Sequence, residues 1–243
     1  PAVQWALASL ALSMLLSSLG TSIANVALPN LAQTFNASFQ EVQWIVIAYL
    51  LAITTLIVSA GRLGDILGRR RLLLGGISLF TLASALCTIA PTLWLLIASR
   101  AIQGLGAAIM MALTMAFVSE TVPKTKTGSA IGLLGTMSAI GTALGPSLGG
   151  LLIAGLSWRA IFFINLPLGV LTLFLAHRYL PDDQKKPKAE RADFDYMGTL
   201  LLALTLAAYQ AGKGSLLEHL AARRESLETQ LRFLALQGER QAI

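Results

Sequence analysis

Six stretches of this sequence are each long and apolar enough to cross a lipid bilayer as an α-helix, and they constrain the fold more than any other feature. A helix that crosses the roughly 30 Å hydrocarbon core needs about 20 largely apolar residues. A seventh stretch, near residues 194–211, follows a polar segment and ends early. The six predicted spans lie at residues 3–29, 43–61, 71–90, 93–118, 128–154 and 158–178.

The composition excludes a water-soluble protein, because mean hydropathy is +0.70 and 55% of the residues are hydrophobic. The lone Cys87 cannot form an intrachain disulfide. The isolated His177 and His219 predict no metal site. There is no phosphate-binding loop, no nucleophile triad and no carboxylate pair within the apolar stretches. The sequence therefore predicts neither an enzyme nor a cofactor-binding protein.

The basic residues are concentrated in three of the segments between spans, which predicts an orientation in the membrane. Cytoplasmic loops of membrane proteins carry an excess of lysine and arginine, whereas the opposite loops here are almost free of charge. A cytoplasmic amino terminus follows, and a nucleic-acid partner is not needed to explain the net charge of +6. The basic residues concerned are Arg62, Arg69, Arg70, Arg71, Lys124, Lys126, Arg178, Lys185, Lys186, Lys188 and Arg191.

These patterns divide the chain into four segments. Residues 1–178 are predicted to form a six-helix bundle and residues 179–193 a solvated cytoplasmic linker. Residues 194–211 would begin a seventh helix, and residues 212–243 have the pattern of an amphipathic helix. This tail is either a surface or partner-binding helix, or the product of a frame change or a fusion remnant. The chain begins at Pro1, without an initiator methionine, so we expect a piece of a longer product.

Arg100 is the first candidate for a functional residue, because it lies about eight positions inside the fourth span. A membrane-embedded arginine costs roughly 2.5–3.5 kcal/mol on insertion scales unless it meets water or a partner. Its side chain either extends to the outer surface or faces an internal cavity. Gln103 lies close by on the same helix face and favours the cavity.

The fifth span is rich in glycine, and the spacing of four residues predicts strips where another helix approaches closely. Pro146 removes a backbone donor and predicts a bend. These glycines and Pro146 have two interpretations. They form a seam for helix packing alone, or they also form a bend that moves or seals a transport pathway. The glycines are Gly128, Gly132, Gly135, Gly141, Gly145, Gly149 and Gly150.

The segment from Gly61 to Leu72 is predicted to be a very short, charged loop between the second and third spans. Asp65 has two candidate roles there. It would cap the amino terminus of the third span, or it would pair with Arg69 or with a helix of a second domain.

Five blocks of the sequence resemble the major facilitator superfamily, and in particular its drug:proton antiporter branch with fourteen helices (the EmrB/QacA type). Each block lies at the helix where that branch carries its motif. The blocks are Asn25–Pro29, Gly61–Leu72, Arg100–Gly104, Gly141–Gly150 and Trp158–Pro167.

The resemblance implies an all-α membrane protein, here the N-terminal six-helix bundle of the major facilitator fold plus the start of a seventh helix. It implies a multi-pass protein of the bacterial inner membrane. Such a protein would export small hydrophobic or amphipathic compounds in exchange for protons, with the proton gradient rather than a cofactor as the driving force.

By the same resemblance, Arg100 and Gln103 would belong to the coupling network. The helix-five motif would comprise Gly141, Gly145, Pro146, Gly149 and Gly150, and the cytoplasmic loop motif Gly61, Asp65, Gly68, Arg69 and Arg70. Many members carry an aspartate in helix one where this chain has Gly20. That position has the same predicted depth as Arg100, so the carboxylate of the expected charge pair is absent.

One six-helix bundle cannot enclose a two-sided pathway, so transport would require a second half-transporter or a homodimer. The alternative is a half-length membrane protein that transports nothing and acts as an interaction or regulatory subunit.

Overall fold

The computed structural model describes residues 2–183, except for the side chains of residues 2 and 119–121. The predicted partial seventh helix and tail, and most of the predicted linker, therefore lie outside the described residues. Within the described part, six helical spans are long and apolar enough to cross a membrane, the sixth being the two consecutive helices of Ala160–Tyr179, which confirms the predicted number. The helices are α1 (Ala2–Phe35), α2 (Phe39–Leu67), α3 (Arg69–Ile89), α4 (Leu93–Thr121), α5 (Thr127–Gly155), α6 (Ala160–Phe163) and α7 (Asn165–Tyr179), with a 3₁₀ turn at Lys124–Lys126.

Local sequence signals explain several of the helix ends. Ser38 caps α2 in a reciprocal pair with Glu41: the Ser38 hydroxyl accepts from the Glu41 amide at 3.3 Å, and the Glu41 carboxylate accepts from the Ser38 amide at 2.7 Å. Thr92 caps α4 by accepting from the Leu95 amide at 3.4 Å. Glu41 is exposed at this helix end.

The first predicted span ends at Pro29, and this boundary is wrong. The helix continues to Phe35, although proline supplies no amide hydrogen for a bond to the preceding turn. Leu28 and Leu31, on either side of Pro29, are buried in the core, and their packing offsets the lost hydrogen bond. The sixth span is interrupted instead, since Pro167 cannot donate to the carbonyl of Phe163, where α6 ends and α7 follows.

The first and fourth helices are the central elements of the bundle. α1 packs against α5 and α7, and α4 packs against α2 and α3. Of the most apolar 18 residues of each helix, 72% are buried in α1 but only 17% in α5. α5 is therefore a peripheral helix with one face packed. Ser9, Ser13 and Ser17 are tolerated in α1 because each hydroxyl donates to the preceding turn of the same helix, as Ser13 does to the Ser9 carbonyl at 2.9 Å. The hydroxyls of Ser18 and Ser22 bond across to α5 instead.

The buried apolar side chains form two clusters along the bundle. One surrounds Phe80, Leu113 and Phe117, and the other surrounds Ile23, Leu96 and Trp158. Arg100 contacts both sets, because its guanidinium lies 4.0 Å from the ring centroid of Tyr49 and 5.8 Å from that of Phe162. The buried charge of Arg100 therefore lies where the two clusters meet.

Candidate functional site

Arg100 is completely buried in the interior of the helix bundle. Its Nε donates to the carbonyl of Ile45 in α2 at 3.2 Å, and its Nη2 donates to the carbonyl of Gly20 in α1 at 3.0 Å. Its Nη1 donates to Oε1 of Gln103, one turn along α4, at 2.6 Å. One side chain thus joins three helices through acceptors that carry no full charge.

An aromatic ring lies close to the guanidinium. The carbon at its centre lies 4.0 Å from the centroid of the Tyr49 ring, within the range of a cation–π contact. The Tyr49 hydroxyl donates to the carbonyl of Ser17 at 2.9 Å, which fixes the ring between α1 and α4. A hydrogen bond to a charged group contributes about 1.5–3 kcal/mol, so two of the three made by Arg100 offset the insertion cost of roughly 2.5–3.5 kcal/mol.

Gln103 extends the polar network to a fourth helix. Its Nε2 lies 2.7 Å from the hydroxyl oxygen of Ser84 in α3 and donates to it. The Ser84 hydroxyl in turn donates to the Phe80 carbonyl at 2.8 Å. The hydrogen bonds therefore run in one direction, from Arg100 to Gln103, from Gln103 to Ser84 and from Ser84 to the Phe80 carbonyl. Gln103 and Ser84 are fully buried. We call Arg100, Gln103, Ser84 and Tyr49 the Arg100 cluster.

The position of Arg100 differs from both interpretations of the sequence. Its side chain does not extend to the outer surface, and in this conformation it faces no open cavity, because it is 0% exposed. Backbone carbonyls of α1 and α2 and the side-chain oxygen of Gln103 satisfy the guanidinium, and nothing in the sequence indicated which carbonyls these would be. Gly20, which the sequence places at a depth similar to that of Arg100, accepts a hydrogen bond from the Arg100 side chain.

Gly20 leaves no free space for the carboxylate that many relatives are expected to carry. A Cβ at this position would lie 3.1 Å from the Tyr49 hydroxyl and 3.3 Å from the tip of the Phe80 ring. The aromatic side chains therefore occupy the room beside Arg100 that a side chain at Gly20 would need.

The glycines of α5 fall on two faces with different surroundings. Gly141, Gly145 and Gly149 are buried against α1, where a Cβ at Gly141 would lie 2.7 Å from the Leu15 carbonyl. Ser22 donates to the Gly141 carbonyl at 3.2 Å across the same contact. This face is a close helix–helix seam, as the spacing predicted.

The other face of α5 has no helix against it in the described part of the chain. A Cβ at Gly128, Gly132 or Gly150 would meet nothing within 4 Å. Pro146 is exposed on this side, and α5 continues through it without a break. The predicted strip at Gly128 and Gly132 is therefore open here.

The segment from Gly61 to Leu72 is helical at both ends rather than a loop. α2 continues to Leu67 and α3 begins at Arg69, so Gly68 is the only residue between them. Its φ of +99° is the conformation that lets the chain reverse in one residue, and it favours glycine. Gly61 lies inside α2, where a Cβ would meet nothing within 4 Å.

Of the candidate roles of Asp65, the structure shows the pair with Arg69. Asp65 accepts a hydrogen bond from Arg69 Nε at 2.9 Å and forms an ion pair with Arg69 Nη2 at 2.8 Å. It does not cap α3. That position is taken by Asp183, whose carboxylate accepts from the amides of Arg70 and Arg71 at 2.7 and 3.1 Å.

Sequence reasoning missed three residues at these sites. Tyr49 sits in an apolar run, where an aromatic residue is indistinguishable from core packing. Asp183 was included in the linker, and only the closure of the fold brings it to α3. Asn165 is fully buried, and its side-chain amide has no hydrogen-bonding partner among the described residues. Among these residues, no group of histidines, cysteines and acids could hold a metal ion.

Comparison with known proteins identifies one family. A model described as Major Facilitator Superfamily matches residues 10–234. Riboflavin transporter RibZ of Clostridioides difficile (strain 630) is 38% identical over 196 residues, which cover 79% of this chain and 42% of RibZ. Multidrug resistance protein Stp of Mycobacterium tuberculosis (strain CDC 1551 / Oshkosh) is 42% identical over 187 residues, 76% of this chain and 34% of Stp. Drug efflux pump JefA of the same strain is 35% identical over 189 residues, 77% of this chain and 37% of JefA.

A solved structure supports the fold. It is a crystal structure of a bacterial homologue of the human lysosomal transporter Spinster, in an inward-facing and occupied conformation. The two structures superpose with a TM-score of 0.66 at 16% sequence identity, covering 90% of this chain and 57% of that one. The names of the three relatives and of this solved structure are those of transporters, resistance proteins or efflux pumps. They agree with the prediction that the chain is not an enzyme. The chain spans well under half the length of the three relatives.

Proposed function

The chain belongs to the Major Facilitator Superfamily, and from this we propose that it is the N-terminal half of a secondary transporter that exports small hydrophobic or amphipathic compounds in exchange for protons. Two bundles would rock about a central site, the usual mechanism for transporters built from paired repeats. The partial coverage of every relative above supports the assignment to one half. We further assign the whole protein to the fourteen-helix drug:proton branch on its five sequence blocks, and the names of Stp and JefA as resistance and efflux proteins support drug export.

The observation that carries this proposal is the Arg100 cluster. A guanidinium with no carboxylate bonded to it among the described residues, held by carbonyls of α1 and α2, responds to any shift of those helices. Moving α1 or α2 by a few ångströms breaks charge-assisted hydrogen bonds in a dry interior and must be matched by new partners. Arg100 and Gln103 would therefore link proton or substrate binding to the relative motion of the helices.

The other predicted motifs have separate roles in the same cycle. The seam of Gly141, Gly145 and Gly149 would let α5 move closely along α1, with Pro146 supplying a weak point for bending. Asp65, Arg69 and Arg70 would form the cytoplasmic latch of the outward-facing state. The open glycine face of α5 would meet the second half of the transporter, which provides the other wall of the pathway.

Proton-driven efflux of ethidium from inverted vesicles or loaded cells tests the role of Arg100. The chain would be expressed with the second half of a relative such as Stp joined after its last residue, beside the chain alone. We expect Arg100→Ala to abolish efflux of the joined protein, and Arg100→Lys to retain little, because an ammonium cannot reach three acceptors in a planar fork.

Arg159→Ala is the matched control, since Arg159 is an exposed arginine whose contacts do not include the Arg100 cluster: it donates to the Ala90 carbonyl at 3.4 Å and lies 4.4 Å from the centroid of the Trp158 ring. It should leave efflux close to the wild-type rate. Unchanged efflux by Arg100→Ala at normal membrane levels contradicts the assignment of Arg100. Full efflux by the chain alone contradicts the assignment to one half.

A further inference from the structure

The amino terminus of α3 is capped by a residue from far along the chain. The amide of Arg70 donates to Oδ1 of Asp183 at 2.7 Å, and the amide of Arg71 donates to Oδ2 at 3.1 Å. Amides in the first turn of a helix have no partner within the helix, and a side chain just before it usually supplies one. Gly68 has no side chain for this purpose, so the carboxylate of Asp183 takes its place.

The same contact caps the end of α7. Arg70 Nη2 donates to the carbonyl of His177, in the last turn of α7, at 2.6 Å. Arg70 Nη1 also forms an ion pair with Asp182 at 2.8 Å. A carboxylate at a helix amino terminus and a guanidinium at a helix carboxyl terminus are each favoured by the helix dipole. The two helix ends therefore cap each other.

The absence of a side chain at Gly68 is needed for the Asp183 contact as well as for the turn. A Cβ at Gly68 would lie 2.7 Å from the Asp183 carboxyl carbon, closer than real Cβ contacts permit. The residue that lets α2 reverse into α3 is thus also the residue that admits the Asp183 carboxylate. Asp65 and Arg69, which form their own ion pair across this turn, flank it on both sides.

We propose that Asp183 is a positioning residue for the Gly61–Arg70 motif. It fixes the direction of the first turn of α3, and with it the geometry of the Asp65–Arg69 pair. It also ties the start of the segment after α7 to that turn, so the two cannot move independently. This inference rests on the proposed function, in which Asp65, Arg69 and Arg70 form the cytoplasmic latch.

The capping contact is tested by hydrogen exchange at the amides of Arg70 and Arg71 in the membrane-embedded chain. Asp183→Ala removes both acceptors, and we expect exchange at these two amides to become about tenfold faster or more, since charge-assisted bonds are lost. Asp183→Asn keeps one acceptor oxygen and should lie between. Asp182→Ala is the matched control: among the described residues Asp182 pairs with the side chain of Arg70 and not with its amide, so exchange at both amides should not change.

The positioning role is tested by ethidium efflux of the chain joined to a second half. We expect Asp183→Ala and Asp183→Asn to lower the maximal rate several-fold at an unchanged half-saturating concentration, with Asp183→Glu restoring part of it. A purely structural contact would lower the amount of inserted protein rather than the rate per molecule.

Unchanged exchange at Arg70 and Arg71 in Asp183→Ala overturns the capping contact. Faster exchange with full efflux overturns the positioning role. If the unmutated protein itself exports nothing, the proposed function fails, while the exchange measurement still decides whether Asp183 caps α3.

Discussion

Tyr49 connects the buried charge of Arg100 to the backbone of α1. Its ring lies against the guanidinium, and its hydroxyl donates to the Ser17 carbonyl at 2.9 Å. The two contacts use different parts of one side chain, so they can be removed separately. The ring contact compensates a charge that has no carboxylate partner in the described part of the chain, whereas the hydroxyl contact is an ordinary neutral hydrogen bond.

Replacing Tyr49 tests which contact matters more. Tyr49→Phe removes only the hydroxyl and should lower stability by about 0.5–1.5 kcal/mol. Tyr49→Leu also removes the ring, and should cost about 2 kcal/mol more, because a desolvated cation–π contact is lost. Thermal unfolding in detergent, followed by the signal of the tryptophans, measures the difference.

Tyr179→Leu serves as the control for that pair, because Tyr179 stacks on Trp5 far along the bundle from Arg100. It should have a smaller effect than Tyr49→Leu. Equal losses for Tyr49→Phe and Tyr49→Leu would mean that the ring does not stabilise the guanidinium.

At this scale the sequence predicted Arg100 and Gln103 but not their surroundings. An arginine and a glutamine inside an apolar run stand out in the sequence, because inserting such side chains into a membrane costs free energy. Tyr49 carries no such signal, and Ser84 resembles the many serines that bond within their own helix. Asp183 contacts α3 across 113 positions of sequence, so its partner follows only from the folded arrangement.

The helix α5 has one packed and one open face, and its glycines divide between them. The number of spans and the glycine seam were predictable, because both depend on local composition and spacing. Sequence spacing alone did not show which strip would be occupied, since both strips have the same interval of four. The helix limits were less predictable: α1 runs past Pro29, and α2 runs through most of the charged motif, because tertiary packing offset the local breaking signals.

A matched pair of alanine substitutions distinguishes the two faces of α5. In Gly145→Ala the new Cβ would lie 2.8 Å from the Ser22 Cβ and 2.9 Å from the Ile23 amide nitrogen. Backbone cannot yield easily, so α1 and α5 must separate, and overpacking of this kind costs about 1–3 kcal/mol. In Gly132→Ala the Cβ meets nothing within 4 Å, and stability should be unchanged or slightly higher.

Thermal unfolding of this bundle in detergent measures both variants. Adding Ser22→Gly to Gly145→Ala should restore part of the loss, because the nearest side chain is removed. Equal stability of Gly145→Ala and Gly132→Ala would contradict the packing of α5 on α1. Efflux by the joined protein gives a second comparison, since a partner helix at the open face would make Gly132→Ala harmful to transport while leaving the isolated bundle stable.

For the whole molecule, the family and the six spans agree with a multi-pass membrane protein. The orientation rests on loop charge. The turn before α5 carries Lys124 and Lys126, whereas the connection after α5 carries only Arg159. If positive loops face the cytoplasm, then the two ends of α5 lie on opposite sides of the membrane, and the Gly61–Arg70 motif lies on the side of Lys124.

Cysteine labelling with a membrane-impermeant maleimide tests this orientation. Lys124 and Leu156 are both exposed and flank the two ends of α5, so cysteines at these positions form a matched pair on one helix. Leu156→Cys should be labelled in intact cells, and Lys124→Cys only in inverted vesicles or after permeabilisation. The native Cys87 is 0% exposed and should remain unlabelled in both, which provides the background. Labelling of Lys124→Cys from outside intact cells would place the Asp65–Arg69 pair on the outer surface, and the proposed cytoplasmic latch would then be wrong even if Arg100 proved essential.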